Sequence, residues 1–381
     1  MDKTQIFPNA VKGACPMRRF SAHLAALTAA ALFVLVVPYS SAAARGAGEG
    51  LQVALSTALP SLFPFFVIGG LFLRSGAAAA LGRVCAPLIR RAYGLPGIAA
   101  GPLILGLTGG YPLGAQATRD LFDSGALSQS EAERLLGFCN NTGPAFLVGV
   151  CGAGLCGSVR TGILLYLIHI AAALLTGLAI AGRGAAPPKA GPRPQPRVLP
   201  LSQCLTQATE QAGRSCLKIT AFIMLFSMLR RVLEAAGFFS FAQVACAPLL
   251  WFLGAPAEAA EPLATGLLEM TSGLVLLPES AGRGLLPAMS LLVGFGGLSV
   301  LCQTAAAVNG LSLRRLFYGK VLHGLIAAAL TMLVQSALPA PAPVFAPLPA
   351  TLPGRPAVGV LFCAISIAFI TFSGKQRHNR L

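Results

Sequence analysis

The sequence predicts an all-α polytopic membrane protein built from two inverted repeats, each with broken, re-entrant helical hairpins. Three observations lead there. Of the 381 residues, 55% are hydrophobic and only 10% charged, with mean hydropathy +0.74, whereas soluble domains carry about 25% charged residues. Apolar runs close to the roughly 20 residues needed to cross about 30 Å of hydrocarbon recur along the chain. Three short motifs also return in the same order, roughly 155–160 residues later.

The formal net charge of +16 does not point to nucleic acid. The Lys and Arg stand in short clusters beside apolar runs, the pattern that orients membrane proteins with basic loops inside. The ten cysteines form no CxxC pair and the four histidines are scattered, so no metal or other cofactor is expected. Without a GxxxxGK[ST], GxSxG or HExxH stretch, neither ATP hydrolysis by a phosphate loop nor the commonest hydrolase chemistry is indicated. No catalytic residue is assigned.

In order, residues 1–50 hold a polar, basic tail and a first transmembrane helix, Ala22–Tyr39. "SSAAARG" behind it resembles a cleavage site, but the renewed apolar run favours an uncleaved helix. The first repeat, 51–182, opens with the span Leu51–Leu73 and continues with Ala77–Tyr93, whose Arg83, Arg90 and Arg91 suit a helix lying at the interface. Two apolar stretches too rich in Gly and Pro for ordinary spans follow, Pro96–Leu113 and Gly143–Cys156. Between them "LSQSEAERLLGF" reads as a short helix with a capping box, Ser128 and Glu131. Gly162–Ala181 is a span. A Pro/Arg-rich linker covers 183–203. The second repeat, 204–337, comprises a polar helix Cys204–Ser215, a span around Ile219–Leu229, an interfacial stretch Phe241–Leu253, broken segments Pro262–Leu277 and Pro287–Val308, and a span Leu316–Val334. A Pro-rich loop, a last helix Val358–Phe372 and a basic tail occupy 338–381.

"CAPLI" (Cys85–Ile89) returns as "CAPLL" (Cys246–Leu250), "LGLTGG" (Leu105–Gly110) corresponds to "TGLLEMTSG" (Thr265–Gly273), and "LIHIAAALLTGL" (Leu167–Leu178) to "VLHGLIAAALTML" (Val321–Leu333). Basic clusters placed inside make each half cross an odd number of times, which inverts the halves and puts both termini in the cytoplasm. Arg230, Arg231 and Arg283 fit this pattern less well. Paired, interrupted apolar segments in two inverted halves mark a secondary transporter, with its substrate near the midplane where the breaks meet.

The polar residues at those breaks are the candidate binding groups. Asn140, Asn141, Thr142 and Gly143 stand at the mouth of an apolar segment, where they could cap a half-helix or touch a ligand. Thr108, Gly109, Gly110, Tyr111 and Gln116 form either a closely packed kink or the tip of a re-entrant hairpin. In the second half Thr271 and Ser272 flank one break, and Gln303, Thr304 and Asn309 are the expected equivalents of the asparagine cluster. Glu269 is the acid most deeply set in an apolar stretch. A charge at that depth costs at least about 2.5–3.5 kcal/mol, so it faces a pathway as a coupling residue or caps its own turn. His169 and His323 occupy matching places in two spans, where a bond to neighbouring backbone is the commoner role.

"LPSLFPFFVIGGLFL" (Leu59–Leu73), "GGYPLGAQ" (Gly109–Gln116) and "SEAERLLGFCNNTGPAF" (Ser130–Phe146) resemble the sporulation integral membrane proteins of the YlbJ type, among the nucleoside-recognition or gate domain proteins. The resemblance covers about residues 51–182. It implies a membrane protein of an endospore former, architecture similar to that of concentrative nucleoside transporters, and a role in moving dipicolinic acid. The expected partners are thus a small-molecule anion or a nucleoside, and the lipid bilayer. The rivals are a nucleoside permease and a spore-envelope assembly factor that transports nothing.

Overall fold

The computed structural model describes residues 16–181, 199–277 and 284–337, and all regular structure among them is helical. The N-terminal tail, most of the linker, the last predicted helix and the basic tail lie outside the described residues.

Helix α1 (Pro16–Val36) is followed by α2 (Ser40–Val53) after a bend of 104°. A π turn, Ala54–Ala58, carries α2 into α3 (Leu59–Arg74). The expected span Leu51–Leu73 is therefore part of a longer helical run. What extends it is α9 (Leu201–Ala235), against which α2 packs backbone to backbone: a Cβ on Gly46 would lie 2.6 Å from the Ser227 carbonyl oxygen. Helix α9 is also longer than expected, 35 residues where the sequence suggested a polar helix and a separate span. No Pro or Gly-rich break separates the polar from the apolar part, so the backbone simply continues. Arg230 and Arg231 near its end pair with Glu49 of α2, at 3.1 and 2.6 Å, and with Glu234. That is why these two fit the orientation rule poorly: they are partnered charges.

The two halves share an element order. Helix α4 (Ala77–Tyr93) ends on left-handed Gly94, passes a 3-10 turn at Gly97–Ala99 and turns by 97° into α5 (Ala100–Gly109). Helix α10 (Ala242–Leu253) ends on left-handed Gly254, passes a 3-10 turn at Ala257–Ala259 and enters α11 (Ala260–Leu268). Each of α4 and α10 carries an internal proline, Pro87 and Pro248. A break then leads to α6 (Leu113–Asp123) in one half and α12 (Met270–Leu276) in the other. Next, α7 (Gln129–Cys139) runs through a second break into a wide π segment, Ala145–Leu155. Its counterparts are α13 (Leu285–Phe295) and α14 (Gly297–Ala307), separated at Gly296. Single long helices close the halves, α8 (Val159–Ala181) and α15 (Arg314–Ala337). The halves differ at the surface: α4 exposes Arg83, Arg90 and Arg91, whereas α10 has no charged residue and leaves Trp251 86% exposed.

By length and composition, three described helical runs can cross a membrane, Val159–Ile180, Leu285–Ala307 and Arg314–Ala337, and up to five can if each bent pair counts as one span. The capping box forms as expected: Ser128 accepts from the Glu131 amide while the Glu131 carboxylate accepts from the Ser128 amide at 2.9 Å. The two closing helices meet where their histidines lie, with the rings of His169 and His323 5.3 Å apart.

Candidate functional site

Glycines bring the breaks of the first half together. A Cβ on Gly106 of α5 or Gly114 of α6 would run into the carbonyl oxygen of Cys139, so both helices lie against the end of α7 with no side chain between. At the tips, Gly110 has φ +80 and its Cβ position is 3.0 Å from the Gly143 amide nitrogen. That φ favours glycine, and the contact excludes anything larger.

A helix leaves its last carbonyls without internal partners, and α13 stops at Phe295. The Val293 carbonyl in its last turn is satisfied from the first half: Tyr111 Oη lies 3.0 Å and Thr142 Oγ1 3.2 Å from it. The two hydroxyls also bond each other, so one donates to the carbonyl and the other donates to its neighbour. Glu269 occupies the break between α11 and α12 in extended conformation, 4% exposed, and caps α12 by accepting from the Thr271 and Ser272 amides at 3.0 and 2.7 Å.

These breaks surround a cavity of about 80 Å³. From the first half Gly110, Tyr111, Thr142 and Gly143 line it, and from the second Glu269, Thr271 and Gln303. Its remaining wall is apolar, with Leu62, Phe146, Ile219, Ile223 and Val300. An apolar recess with a few convergent polar groups is the ordinary form of a small-molecule site.

The other residues singled out in the sequence are placed elsewhere. Thr108 bonds back to Ile104 of its own helix at 2.8 Å, and Gly109 packs on Leu113. Gln116 donates to Ser215 at 2.9 Å beside Gln211, in a separate recess. Asn309 sits exposed at the turn after α14, its carbonyl taken by Arg119. Ser272 reaches the site through its amide alone.

The asparagine cluster is built differently from the capping arrangement it suggested. The π segment begins at Pro144 with no side-chain cap. Asn141 turns back to the Phe138 carbonyl at 2.8 Å, and Asn140 reaches across to Thr304 of α14 at 2.8 Å. The asparagines thus secure the end of α7 and its contact with α14. By element order the true counterpart of their break is Gly296, and Gln303 and Thr304 lie two turns further along α14.

The sequence reading missed Lys320 on α15, 2% exposed. Its Nζ donates to the Asn140 carbonyl at 3.2 Å and lies 5.0 Å from the centre of the Tyr111 ring. A lone lysine inside an otherwise apolar span was the available signal. His169 bonds its own backbone, Nδ1 to the Leu165 carbonyl at 3.0 Å.

An all-helical membrane protein whose two halves bring interrupted helices to a common cavity is the class this arrangement defines. The family model described as Gate, nucleoside recognition, matches residues 55–183. The chain is 28% identical over 330 residues to the sporulation integral membrane protein YlbJ of Bacillus subtilis (strain 168), covering 81% of each, so the resemblance read from the three motifs holds. Among solved structures, it is similar to a variant of CNTnw in the intermediate 1 state (TM-score 0.48, 16% identity, 84% of this chain and 88% of that one). It is also similar to CNTnw in an inward-facing substrate-bound state (TM-score 0.46, 17% identity, 85% and 87%).

Proposed function

We propose that this chain is a secondary transporter that binds a small planar metabolite among the helix breaks and moves it by alternating access. The observation that carries the reading is that interrupted helices of both halves line one cavity. Irregular backbone at membrane depth survives only inside protein or along a watery cavity, and such breaks at the junction of two related halves are where transporters of this kind hold substrate. An inverted relation of the halves and cytoplasmic termini complete the reading, supported by the recurring element order and the placement of the basic clusters.

Dipicolinate is the first substrate we assign. Similarity to a sporulation membrane protein supports it, as does the uncapped start of the π segment, where Gly143 and Phe146 face the cavity. A helix N-terminus without a cap favours an anion. Glu269 favours a second substrate class, a nucleoside. Its carboxylate lines the cavity, repels a dianion and accepts hydrogen bonds from hydroxyl or amide donors; the matched family model is itself described as nucleoside recognition. The sequence reading makes Glu269 the coupling residue as well, although both of its oxygens are engaged by the α12 amides.

The test is uptake of labelled dipicolinate into proteoliposomes, with uridine in parallel and Gln303→Ala as the cavity variant. Saturable uptake of one compound, lost in the variant, supports the transporter reading and selects the substrate. Uptake of neither by well-folded protein under several ion gradients overturns it in favour of an assembly factor.

A further inference from the structure

Lys320 is a buried ionisable group outside the lining of the cavity. Two features recognise a cation where it lies. The Asn140 carbonyl is the capping carbonyl of α7, at the negative end of that helix. The face of the Tyr111 ring is 5.0 Å from the amine, within cation–π range. Close backbone packing brings the amine there: a Cβ on Gly319 would collide with the Gly137 carbonyl, so α15 and α7 touch directly one residue before the lysine.

What the site lacks is a carboxylate. Arg119, Arg230 and Arg231 each have an acidic partner, but Lys320 forms no ion pair among the described residues. The groups facing it are Tyr111 from the α5–α6 break, Cys139 from α7, His169 from α8 and His323 one turn along α15. None is a fixed anion. A buried amine held by one carbonyl and one ring can therefore release its proton without leaving an unpaired charge behind, unlike a member of a buried ion pair. One of the groups it touches lines the cavity and the other secures a break beside it. Tyr111 lines the cavity and bonds α13, and Asn140 ties α7 to α14.

We infer that Lys320 is a tethered coupling cation: its ammonium fills a cation site at the junction of the breaks, and transport is coupled to proton exchange at this amine, without a requirement for sodium. The inference rests on the transporter reading above and moves the exchanging group from Glu269, whose two oxygens already serve as the α12 cap. No covalent step is involved; the proton passes between Nζ and water admitted when the site opens.

The test uses the full chain and two readouts. The first needs no substrate: unfolding temperature in detergent from mildly acidic to mildly alkaline buffer, for wild type, Lys320→Gln and Lys320→Met. Gln keeps a donor for the Asn140 carbonyl and so preserves the fold while removing the exchangeable charge. A pH-dependent component present in wild type and absent from Lys320→Gln is expected; parallel profiles overturn the inference even if no substrate is ever found. The second is proteoliposome uptake driven by a pH gradient in sodium-free buffer. Lys320→Gln should lose gradient-driven accumulation by about tenfold or more, the scale of an ordinary coupling between two sites, while retaining substrate exchange at equal pH. Uptake by wild type that needs sodium and ignores the pH gradient also overturns it. Failure of both substrates in every variant, with the unfolding difference intact, sinks the transport reading and leaves the exchanging lysine.

Discussion

Replacing Glu269 separates its two roles. In the folded protein its oxygens accept two backbone amides at the start of α12, a helix of only seven residues. Losing an N-cap side chain costs about 0.5–2 kcal/mol, measured mostly where water can replace it. Here the residue is 4% exposed, so the upper end applies, about 2 kcal/mol for Glu269→Ala. Glu269→Gln keeps one carbonyl oxygen for one amide and should lose about half as much. The assay is denaturant unfolding in detergent, followed by uptake with whichever substrate wild type carries. If the carboxylate also meets the substrate, both variants lose uptake although Gln gives up only about 1 kcal/mol of stability. An alanine variant as stable as wild type would refute the capping argument, and a glutamine variant with undiminished uptake would remove Glu269 from the binding site.

Tyr111→Phe deletes a hydroxyl on the Val293 carbonyl but leaves Thr142 to satisfy it, so unfolding measurements should show a loss of only about 1 kcal/mol. Gly106→Ala places a methyl against the Cys139 carbonyl, which cannot retreat without moving α7. A loss of about 1–3 kcal/mol and poor expression should follow. Gly213→Ala, in the interior of α9 with nothing within 4 Å of its Cβ position, should be neutral or stabilising by up to about 1 kcal/mol in the same assay. Gln116→Ala should leave the substrate KM in proteoliposomes unchanged, since Gln116 lies in a separate recess from the cavity.

How much of this was legible in the sequence depends on whether the governing interaction is local. The capping box at Ser128–Glu131 and the positions of the four broken segments follow from neighbouring residues, and periodicity with turn chemistry exposes them. Seven of the fifteen candidate residues line the cavity because polar groups placed at breaks in apolar segments have few other locations. The orientation of Asn140 and Asn141 was not legible: whether an amide caps forward or turns back depends on Thr304 and Phe138, and the first is 164 positions away. Lys320 escaped for a similar reason. Its partners, Asn140 and Tyr111, come from the other half, and only glycines at 137 and 319 allow the helices close enough for the amine to arrive. The continuity of α9 was hidden because a polar-to-apolar change in composition imitates a boundary where the backbone has none.

The unequal surfaces of α4 and α10 have a consequence for lipid. Each exposed arginine near an anionic leaflet adds about 1 kcal/mol of attraction, screened beyond roughly 8 Å at physiological salt. Helix α4, with three of them, would hold its leaflet with about 3 kcal/mol that depends on headgroup charge and ionic strength. Helix α10 offers an exposed tryptophan, which registers the depth of the interface and is blind to its charge. Enriching a bilayer in anionic lipid therefore tightens the hold of α4 and leaves that of α10 unchanged. Two helices in the same place in the order of their halves would in this way feel the composition of the membrane unequally.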